Sequence, residues 1–279
     1  MTKVLPWHVF MQCRQSKNVI FHSQNVPACY WEQMRRHWLA ESIIIWTEEA
    51  PVCGFSPDAE FPIIHAEKGT IRFQYVLPSA DNEILSINAG TRLNVVPDYA
   101  CARLRGITEE QVAACVNDLS LRTNVKTAKD EDCINVEVYG AASHASLPEN
   151  GVNAIQNLLM LLKGLYPDAD SKLKICIHAL ADVLQDETDG KSAGISCSDD
   201  VSGSLTINTA ILKINEKDSV CKFDIRYPVT YDGKDILRKL EALGTKCCAE
   251  YELLQHKPPL YVEKDRPFIK ELEKAYEES

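Results

Sequence analysis

The sequence predicts an α+β fold, in which antiparallel sheets are covered by helices on one face. Strand-like segments, with apolar residues at every second position, are mixed with helical segments of period about 3.6. The two types do not alternate strictly, as they would in a parallel βαβ sheet. Their order, β-β-α-β-α and then β-β-α-β, indicates two related α+β halves in tandem, although the two halves share no recognisable sequence repeat.

The first half of this order begins with alternating strands and continues with two helices. Strands are predicted at 70–78, at both ends of 83–104 and at 133–140, and helices at 107–119 and 150–167. Thr108 is the predicted N-cap of the first helix, and Gln111 three residues later completes a capping box. The second helix shows an apolar stripe and has Lys163 in its last turn, where a cation is favourable.

The second half is predicted to begin with a β-hairpin. Its elements are strands at 204–215, 219–229 and 246–256, and helices at 233–243 and 266–279. Pro267 lies near the start of the last helix, where its missing N–H is tolerated. The acidic segment 182–203 is predicted to be a solvated connection between the halves.

The composition is that of a globular protein and argues against two classes of function. Of 279 residues, 45% are apolar and 25% are charged, which is typical of soluble domains. A net charge of −10, with acidic residues spread along the chain, argues against a nucleic-acid binder, which needs a basic surface. No apolar run approaches the roughly 20 residues of a membrane span. We therefore expect a soluble protein that binds neither nucleic acid nor membrane.

Cysteine use indicates a reducing compartment. Eleven cysteines are present, without a Cys-x-x-Cys pair or the paired Cys and His spacings of a zinc finger. The opening segment "MTKVLPWHVF" lacks the layout of a signal peptide. An odd number of cysteines without such a signal favours reduced thiols in the cytoplasm, most of them serving as small buried apolar residues.

Three segments contain side chains suited to chemistry. In the first, Asp58, His65 and Glu67 could be metal ligands, or Asp58 could cap a turn and His65 end a strand. His144 lies in a Ser- and Ala-rich loop before a helix, where it could donate to a substrate carbonyl or carboxylate. Arg226 ends a predicted strand, a position from which a guanidinium can bind a carboxylate bidentately.

Five segments are informative together because of their order and spacing. They are "GFSPDAEFPIIHAEKG" (54–69), "GTRLNVVPDYA" (90–100), "GAASHASLPENGVNAI" (140–155), "FDIRYPV" (223–229) and "HKPPLYVEKDRPFIKELEKAYEE" (256–278). Together they resemble the PepV-type bacterial dipeptidases, relatives of carnosinase and aminoacylase among the co-catalytic dizinc peptidases. The resemblance extends over about residues 48–279, and no single segment would suffice for it.

The resemblance implies a catalytic α/β domain interrupted by a lid domain of two α+β halves. In this division residues 70–260 are the lid, and residues 47–69 and 261–279 are remnants of the catalytic domain. The family holds two zinc ions that share a bridging carboxylate and a water, and a glutamate takes the proton of that water. The implied substrate is a dipeptide, and the implied state is a monomer or a weakly self-associating chain.

The resemblance also implies roles for four residues. Asp58 is implied to be one zinc ligand. His144 is implied to donate a hydrogen bond to the scissile carbonyl in its transition state. Asn94 and Arg226 are implied to hold the substrate, with Arg226 at the C-terminal carboxylate.

The other zinc-binding motifs of the family are absent from the sequence. They are an upstream His-x-Asp, Asp-Asp-Lys-Gly-Pro, Gly-Thr-Asp-Glu-Glu with the catalytic glutamate, and a late His after Gly-Gly-Gly-Thr. With one metal ligand left of the usual five, we interpret the chain as a truncated member that is inactive alone and does not fully bind two zinc ions. The alternatives are that another chain or a corrected reading frame supplies the ligands, or that the lid serves as a binding or dimerisation module without catalysis.

Residues 1–46 are interpreted as an out-of-frame segment. One codon choice for "MTKVLPW", read two nucleotides out of phase, encodes Asp-Lys-Gly-Pro-Ala-Leu, and "YWEQMRRH" in the same phase encodes Leu-Gly-Thr-Asp-Glu-Glu-Thr. Two of the missing motifs thus occur in one phase, about thirty residues apart, as the family spacing requires. We expect this segment to be poorly ordered; the alternative is a genuine, divergent N-terminus.

Overall fold

The structure is a computed structural model that describes residues 10–13, 53–56, 63–119, 121 and 123–277. In the first two ranges only the backbone is described. The chain divides into two compact units, one of residues 1–67 and 260–279 and the other of residues 68–259. The larger unit contains the main sheet and four of the five α-helices in the described residues.

The strands and helices are numbered in chain order. The strands are β1 (Phe10–Cys13), β2 (Cys53–Ser56), β3 (Ala66–Glu67), β4 (Gly69–Val76), β5 (Ile84–Ala89), β6 (Tyr99–Arg105), β7 (Asn124–Asp130), β8 (Cys133–Tyr139), β9 (Ser198–Asp199), β10 (Gly203–Ser204), β11 (Thr206–Ile214), β12 (Val220–Tyr227), β13 (Glu250–Lys257) and β14 (Leu260–Tyr261). The helices are α1 (Glu109–Leu119), α2 (Ala154–Leu165), α3 (Lys172–Leu184), α4 (Gly233–Lys246) and α5 (Pro267–Glu277), and a 3₁₀ turn covers Pro148–Asn150.

Eight strands of the larger unit form one antiparallel sheet in the order β13-β4-β12-β11-β5-β6-β8-β7. Successive side chains of a strand point to opposite faces of a sheet. In β12, Phe223 and Ile225 lie on one face and are buried among apolar residues, whereas Lys222 and Asp224 lie on the other. We call the first the core face, because buried apolar residues of the neighbouring strands share it, and the second the polar face.

The sheet consists of two halves with a similar strand order from the centre outwards. One half is β5-β6-β8-β7, with α1 between β6 and β7 in the chain. The other is β11-β12-β4-β13, with α4 between β12 and β13. The predicted α+β class is therefore confirmed. The tandem arrangement differs from the prediction in one respect, because β4 completes the second half although it precedes the first half in the chain.

The two halves meet where β5 pairs with β11 over three residue pairs, of which Ala89 with Leu212 is the last. Beyond this pair, the register of β11 against β12 shifts around Ala210, which forms a β-bulge. Gly90 follows with a φ of +71°, and a Cβ there would lie 1.9 Å from the Ala210 carbonyl oxygen. A glycine is required because the Ala210 backbone occupies the space that a side chain at position 90 would need.

Aromatic side chains fill the core beside α4. Phe73 of β4 and Phe223 of β12 are cross-strand partners, and their rings stack with centroids 4.6 Å apart. Tyr75 meets Phe223 edge-on, with ring centroids 5.5 Å apart. The Tyr75 hydroxyl donates to the Leu240 carbonyl of α4 at 2.7 Å. Burial of these rings therefore holds α4 on the core face, and one hydrogen bond fixes its position.

Most predicted elements are confirmed with boundaries shifted by a few residues, and two of the longer observed elements, β7 and α3, lie outside the predictions. The capping box of α1 is formed as predicted, since Thr108 N–H donates to Gln111 Oε1 at 2.8 Å and Gln111 N–H donates to Thr108 Oγ1 at 3.3 Å. Strand β7 was not predicted, because it is an edge strand with few apolar residues. Helix α3 was not predicted either, although Ser171 caps it and Ile177 and Leu180 have helical spacing.

The smaller unit contains two short antiparallel pairs and α5. Strand β1 pairs with β2, and β3 pairs with β14. Val262 and Ile269 are buried together there, and His65 Nδ1–H donates to the Val262 carbonyl at 2.7 Å. The predicted poor order of residues 1–46 stays a prediction, since only 10–13 of them are described.

Eight cysteines have described side chains, and all eight are free thiols. Four of them are buried, three are half-buried and Cys248 is exposed, so most serve as the expected apolar residues. None of the described helices is both long enough and apolar enough to cross a membrane.

Phe223→Ala is expected to lower the free energy of unfolding by about 3–5 kcal/mol, because it removes a buried ring from the centre of the core. The control is Ile175→Ala, which truncates a side chain that is 44% exposed on α3. It should cost less than about 1 kcal/mol. Urea unfolding followed by far-UV circular dichroism measures both values. Equal costs would mean that the core is not centred on the aromatic cluster.

Candidate functional site

The structure describes three of the four predicted site residues. Asn94 lies in the connection between β5 and β6, His144 lies in the connection between β8 and α2, and Arg226 lies near the end of β12. Asn94 and His144 are exposed, and Arg226 is half-buried. Asp58, the predicted zinc ligand, lies outside the described residues.

The segments that contain Asn94 and His144 lie side by side. Val95 and His144 form an isolated antiparallel β-bridge. The Ala145 N–H donates to the Asn94 carbonyl at 3.0 Å. Backbone hydrogen bonds therefore hold two of the predicted residues next to each other, although fifty positions separate them in the sequence.

The loop that contains His144 is closed at its base. Ala141 and Val152 exchange two backbone hydrogen bonds of 2.9 Å. A Cβ at Gly140 would lie 2.0 Å from the Val152 carbonyl oxygen, so a glycine is needed for the two segments to approach this closely. Because the ends of the loop are tied together, His144 is presented from a defined backbone.

Local contacts determine which ring nitrogen of His144 can donate to a ligand. Its Nδ1 lies 3.2 Å from the Ser146 backbone nitrogen and 2.6 Å from Ser146 Oγ. A backbone N–H can only donate, so Nδ1 is the acceptor and the neutral ring carries its proton on Nε2. The Nε2–H group is therefore the donor that this side chain offers outward.

Two buried asparagines tie the Asn94 segment to the sheet. Asn208, on the polar face of β11, is 1% exposed and donates through Nδ2 to the Val95 carbonyl at 3.0 Å. Asn153 Nδ2 donates to Asn208 Oδ1 at 3.3 Å, and its own Oδ1 caps α2 by accepting the Ile155 N–H at 2.9 Å. Buried amides are stable only when hydrogen-bonded. This chain of amides joins β11, the N-terminus of α2 and the segment that holds Asn94.

Arg226 is oriented by a buried carboxylate. Asp224 lies two residues earlier on the same face of β12 and is fully buried. Its Oδ1 accepts from Arg226 Nε at 2.7 Å, and its Oδ2 accepts from Arg72 Nε of β4 at 2.7 Å. Arg226 Nη1 also donates to the Thr70 hydroxyl at 3.0 Å. A buried charge is tolerated only when it is paired, and here two cations compensate one anion.

The cluster of Arg72, Asp224 and Arg226 has a net charge of +1. The Arg226 side chain is 19% exposed and the Arg72 side chain is 29% exposed, so both guanidinium groups reach solvent while the carboxylate does not. This part of the polar face is therefore suited to an anionic ligand. Asp224 could have been placed on the same face as Arg226 from the sequence, because the two are two positions apart in one strand. Arg72 could not, because it reaches Asp224 only through the pairing of β4 with β12, 152 residues away in the chain.

The end of β12 is also held from the core face. Tyr227, next to Arg226, is 1% exposed, and a Cβ at Gly69 would lie 2.1 Å from its ring. Burial raises the pKa of Tyr227 to about 12. The hydroxyl therefore keeps its proton at neutral pH, and it forms a hydrogen bond of 2.8 Å with His256 Nε2. Arg226 thus extends from a strand end that is fixed on both faces.

The residues that the structure describes do not provide the donor set for two zinc ions. No group of three or more His, Cys, Asp or Glu side chains in this part of the chain could hold a metal ion. His65, a candidate ligand by sequence, instead contacts the Val262 carbonyl. Zinc therefore stays a prediction that depends on residues other than those described, Asp58 among them.

Sequence comparison relates the chain to dipeptidases. No family model matches the sequence. The chain is 35% identical over 241 residues to "Putative dipeptidase YtjP" of Bacillus subtilis (strain 168), covering 82% of this chain and 50% of the relative. It is 30% identical over 252 residues to "Putative dipeptidase SAR1836" of Staphylococcus aureus (strain MRSA252), covering 86% of this chain and 53% of the relative.

The chain thus spans about half the length of the curated relatives it matches. Their names support the predicted resemblance to dipeptidases, while the PepV type, the zinc ions and the truncation stay predictions. Among solved structures, aminoacylhistidine dipeptidase from Vibrio alginolyticus matches 74% of this chain and 47% of that chain. The identity is 11% and the TM-score 0.33, which is too low to establish a common fold.

Asn208→Ala is expected to loosen the segment that holds Asn94. The substitution leaves the Val95 carbonyl without its amide donor, a loss of about 1–3 kcal/mol in the free energy of unfolding. Local opening should speed hydrogen exchange of the Ala145 amide by at least about tenfold, measured by NMR. The control, Asn88→Ala, alters an exposed amide of β5 and should leave that exchange rate unchanged. An unchanged rate in the Asn208 variant would contradict the proposed support.

Proposed function

We propose that this chain is the substrate-binding part of a zinc-dependent dipeptidase of the PepV type and that it binds dipeptides on the polar face of its large sheet. In this proposal residues 70–260 are the lid of that enzyme. The observation that supports it most is the orientation of Arg226, whose guanidinium is fixed by the buried Asp224 and still reaches solvent. The similarity to one half of proteins named putative dipeptidases supports it further.

Arg226 is proposed to bind the C-terminal carboxylate of the dipeptide. A guanidinium forms charge-assisted hydrogen bonds with a carboxylate and can do so bidentately. Because Asp224 and Thr70 already restrict the side chain, little further conformational entropy is lost when a ligand binds. The net charge of the cluster favours a free carboxylate over a neutral amide at the same position.

His144 and Asn94 are proposed to hold the peptide group. The Nε2–H of His144 would donate to the carbonyl oxygen, and this hydrogen bond strengthens as negative charge develops on that oxygen. The Asn94 side chain offers both a donor and an acceptor beside it. Since the backbones of the two segments are hydrogen-bonded to each other, both side chains would act on one ligand.

Hydrolysis is proposed for the whole enzyme and not for this chain alone. Two zinc ions would supply the activated water, and Asp58 is the only ligand of the usual five that the resemblance assigns here. We infer that the chain binds dipeptides without cleaving them, as a monomer or a weakly self-associating protein of the cytoplasm. The competing possibility is that another chain supplies the missing zinc ligands. In that case dipeptides would be cleaved when zinc and that chain are both present.

Binding of Gly-Leu is expected to depend on its free carboxylate. Arg226→Met should weaken binding at least about tenfold, since hydrogen bonds to a charged group contribute about 1.5–3 kcal/mol. The C-terminal amide of Gly-Leu should bind the wild-type chain as weakly as Gly-Leu binds the variant. Isothermal titration calorimetry measures all three affinities. Arg105→Met, at an exposed arginine of β6 paired with Asp132, is the matched control. Equal affinities for acid and amide would refute the role of Arg226.

Zinc titration of the chain is expected to saturate below two ions per molecule, without release of free amino acids from Gly-Leu. The physical reason is the missing donor set, because each structural or catalytic zinc needs at least about three protein ligands. Equilibrium dialysis gives the stoichiometry, and amino-acid analysis gives the turnover. Binding of two zinc ions together with cleavage by the isolated chain would show that the inferred lack of catalysis is wrong.

A further inference from the structure

We propose that Arg72 is a second carboxylate-binding residue and that the polar face prefers dipeptides with an acidic C-terminal residue. This proposal rests on the proposed function, in which Arg226 binds the α-carboxylate. In the new assignment Arg72 binds the side-chain carboxylate of the same ligand residue. Glutamate and aspartate are therefore the expected C-terminal residues of a preferred substrate.

The register of the sheet places the two arginines as diagonal neighbours. Arg72 lies opposite Asp224, and Thr70 lies opposite Arg226, in the antiparallel pair of β4 and β12. Diagonal neighbours on one face are separated by about 7–8 Å. Their guanidinium groups, which share the Asp224 carboxylate, are near enough for each to meet one end of an acidic amino acid.

The shared carboxylate orients and compensates both cations. Arg226 Nε contacts Oδ1 of Asp224, whereas Arg72 Nε contacts Oδ2. Arg226 Nη2 also reaches Oδ2 at 3.4 Å, so both guanidinium groups contact that oxygen, although each has its shortest contact with a different oxygen of Asp224. Two neighbouring guanidinium groups can each bind one carboxylate of the same ligand residue.

Both arginines retain N–H groups for a ligand. Among the described residues, Arg226 donates through Nε, Nη1 and Nη2, and Arg72 donates through Nε and Nη1. A guanidinium has more N–H groups than these contacts use. Since the Arg72 side chain is the more exposed of the two, at 29%, its remaining donors can reach solvent.

Arg72 is held in place before any ligand arrives. Its Nη1 donates to Gln255 Oε1 at 3.2 Å. Gln255 lies opposite Arg72 only because the register of β13 against β4 shifts by one residue at Leu254. A β-bulge commonly redirects a side chain in this way. The second cation is thus fixed by two neighbours, Asp224 and Gln255, just as Arg226 is fixed by Asp224 and Thr70.

The test compares Gly-Glu with Gly-Gln, which have nearly the same shape and differ in one charge. By titration calorimetry, the wild-type chain should bind Gly-Glu about tenfold more tightly than Gly-Gln. Arg72→Met should abolish this ratio, and it should weaken binding of both peptides because the cluster loses a positive charge. Arg72→Lys, which keeps the charge but loses the fork, should retain part of the ratio. Arg105→Met, remote on β6, should preserve the full ratio. Circular dichroism verifies that each variant is folded.

The outcomes separate this proposal from the one on which it rests. If Gly-Gln binds in an Arg226-dependent way but Gly-Glu gains nothing, the proposed function stands and the role of Arg72 is refuted. If Gly-Glu is preferred and the preference survives in Arg72→Met, the second carboxylate is bound elsewhere and the assignment is again wrong. If neither peptide binds, both proposals are overturned.

Discussion

The pairing of β5 with β11 over three residue pairs is the constraint on which the rest of the large unit depends. It makes one sheet of two four-stranded halves, so that both halves bury their apolar residues in a single core. The pairing ends at Ala89, where the bulge at Ala210 brings backbone against Gly90. From that point the chain leaves the sheet, and the Asn208 side chain donates a hydrogen bond to its Val95 carbonyl. The candidate site therefore lies where the junction between the halves ends.

Two buried polar side chains on neighbouring strands organise this site. Asn208 and Asp224 are cross-strand partners on the polar face, and both are almost completely buried. The neutral amide binds a backbone carbonyl beside Asn94, whereas the carboxylate binds two guanidinium groups. Removal of either would leave buried polar partners unsatisfied, a cost larger than the net gain from forming the hydrogen bond. The polar face is thus held by directional contacts, whereas the core face is held by apolar packing.

Part of this arrangement could be predicted from the sequence. Strong alternation predicted β4 and β12, and the Thr108 capping box predicted the start of α1, because these signals are local. The resemblance singled out Asn94, His144 and Arg226 as substrate contacts, but it gave no geometry. Arg72 and Asn208 could not be identified, since their significance depends on strand order, on register and on two β-bulges. Edge strands such as β7 escape prediction because their inward positions are only half-buried and include few apolar residues, in β7 chiefly Val125.

Strand β4 has a consequence for how the chain must be assembled. Its neighbours are β12 and β13, and Thr70 contacts Arg226 across 156 residues. The half made of β5 to β8 can close while translation continues, because its strands follow one another in the chain. At about 5–20 residues per second, β4 waits on the order of ten seconds or more for its partners to be synthesised. Throughout that interval Ile71, Phe73 and Tyr75 form an unpaired apolar strand, the kind of segment at which nascent chains aggregate. The strand that brings Arg72 to Arg226 is accordingly the one that must stay soluble until its partners are synthesised.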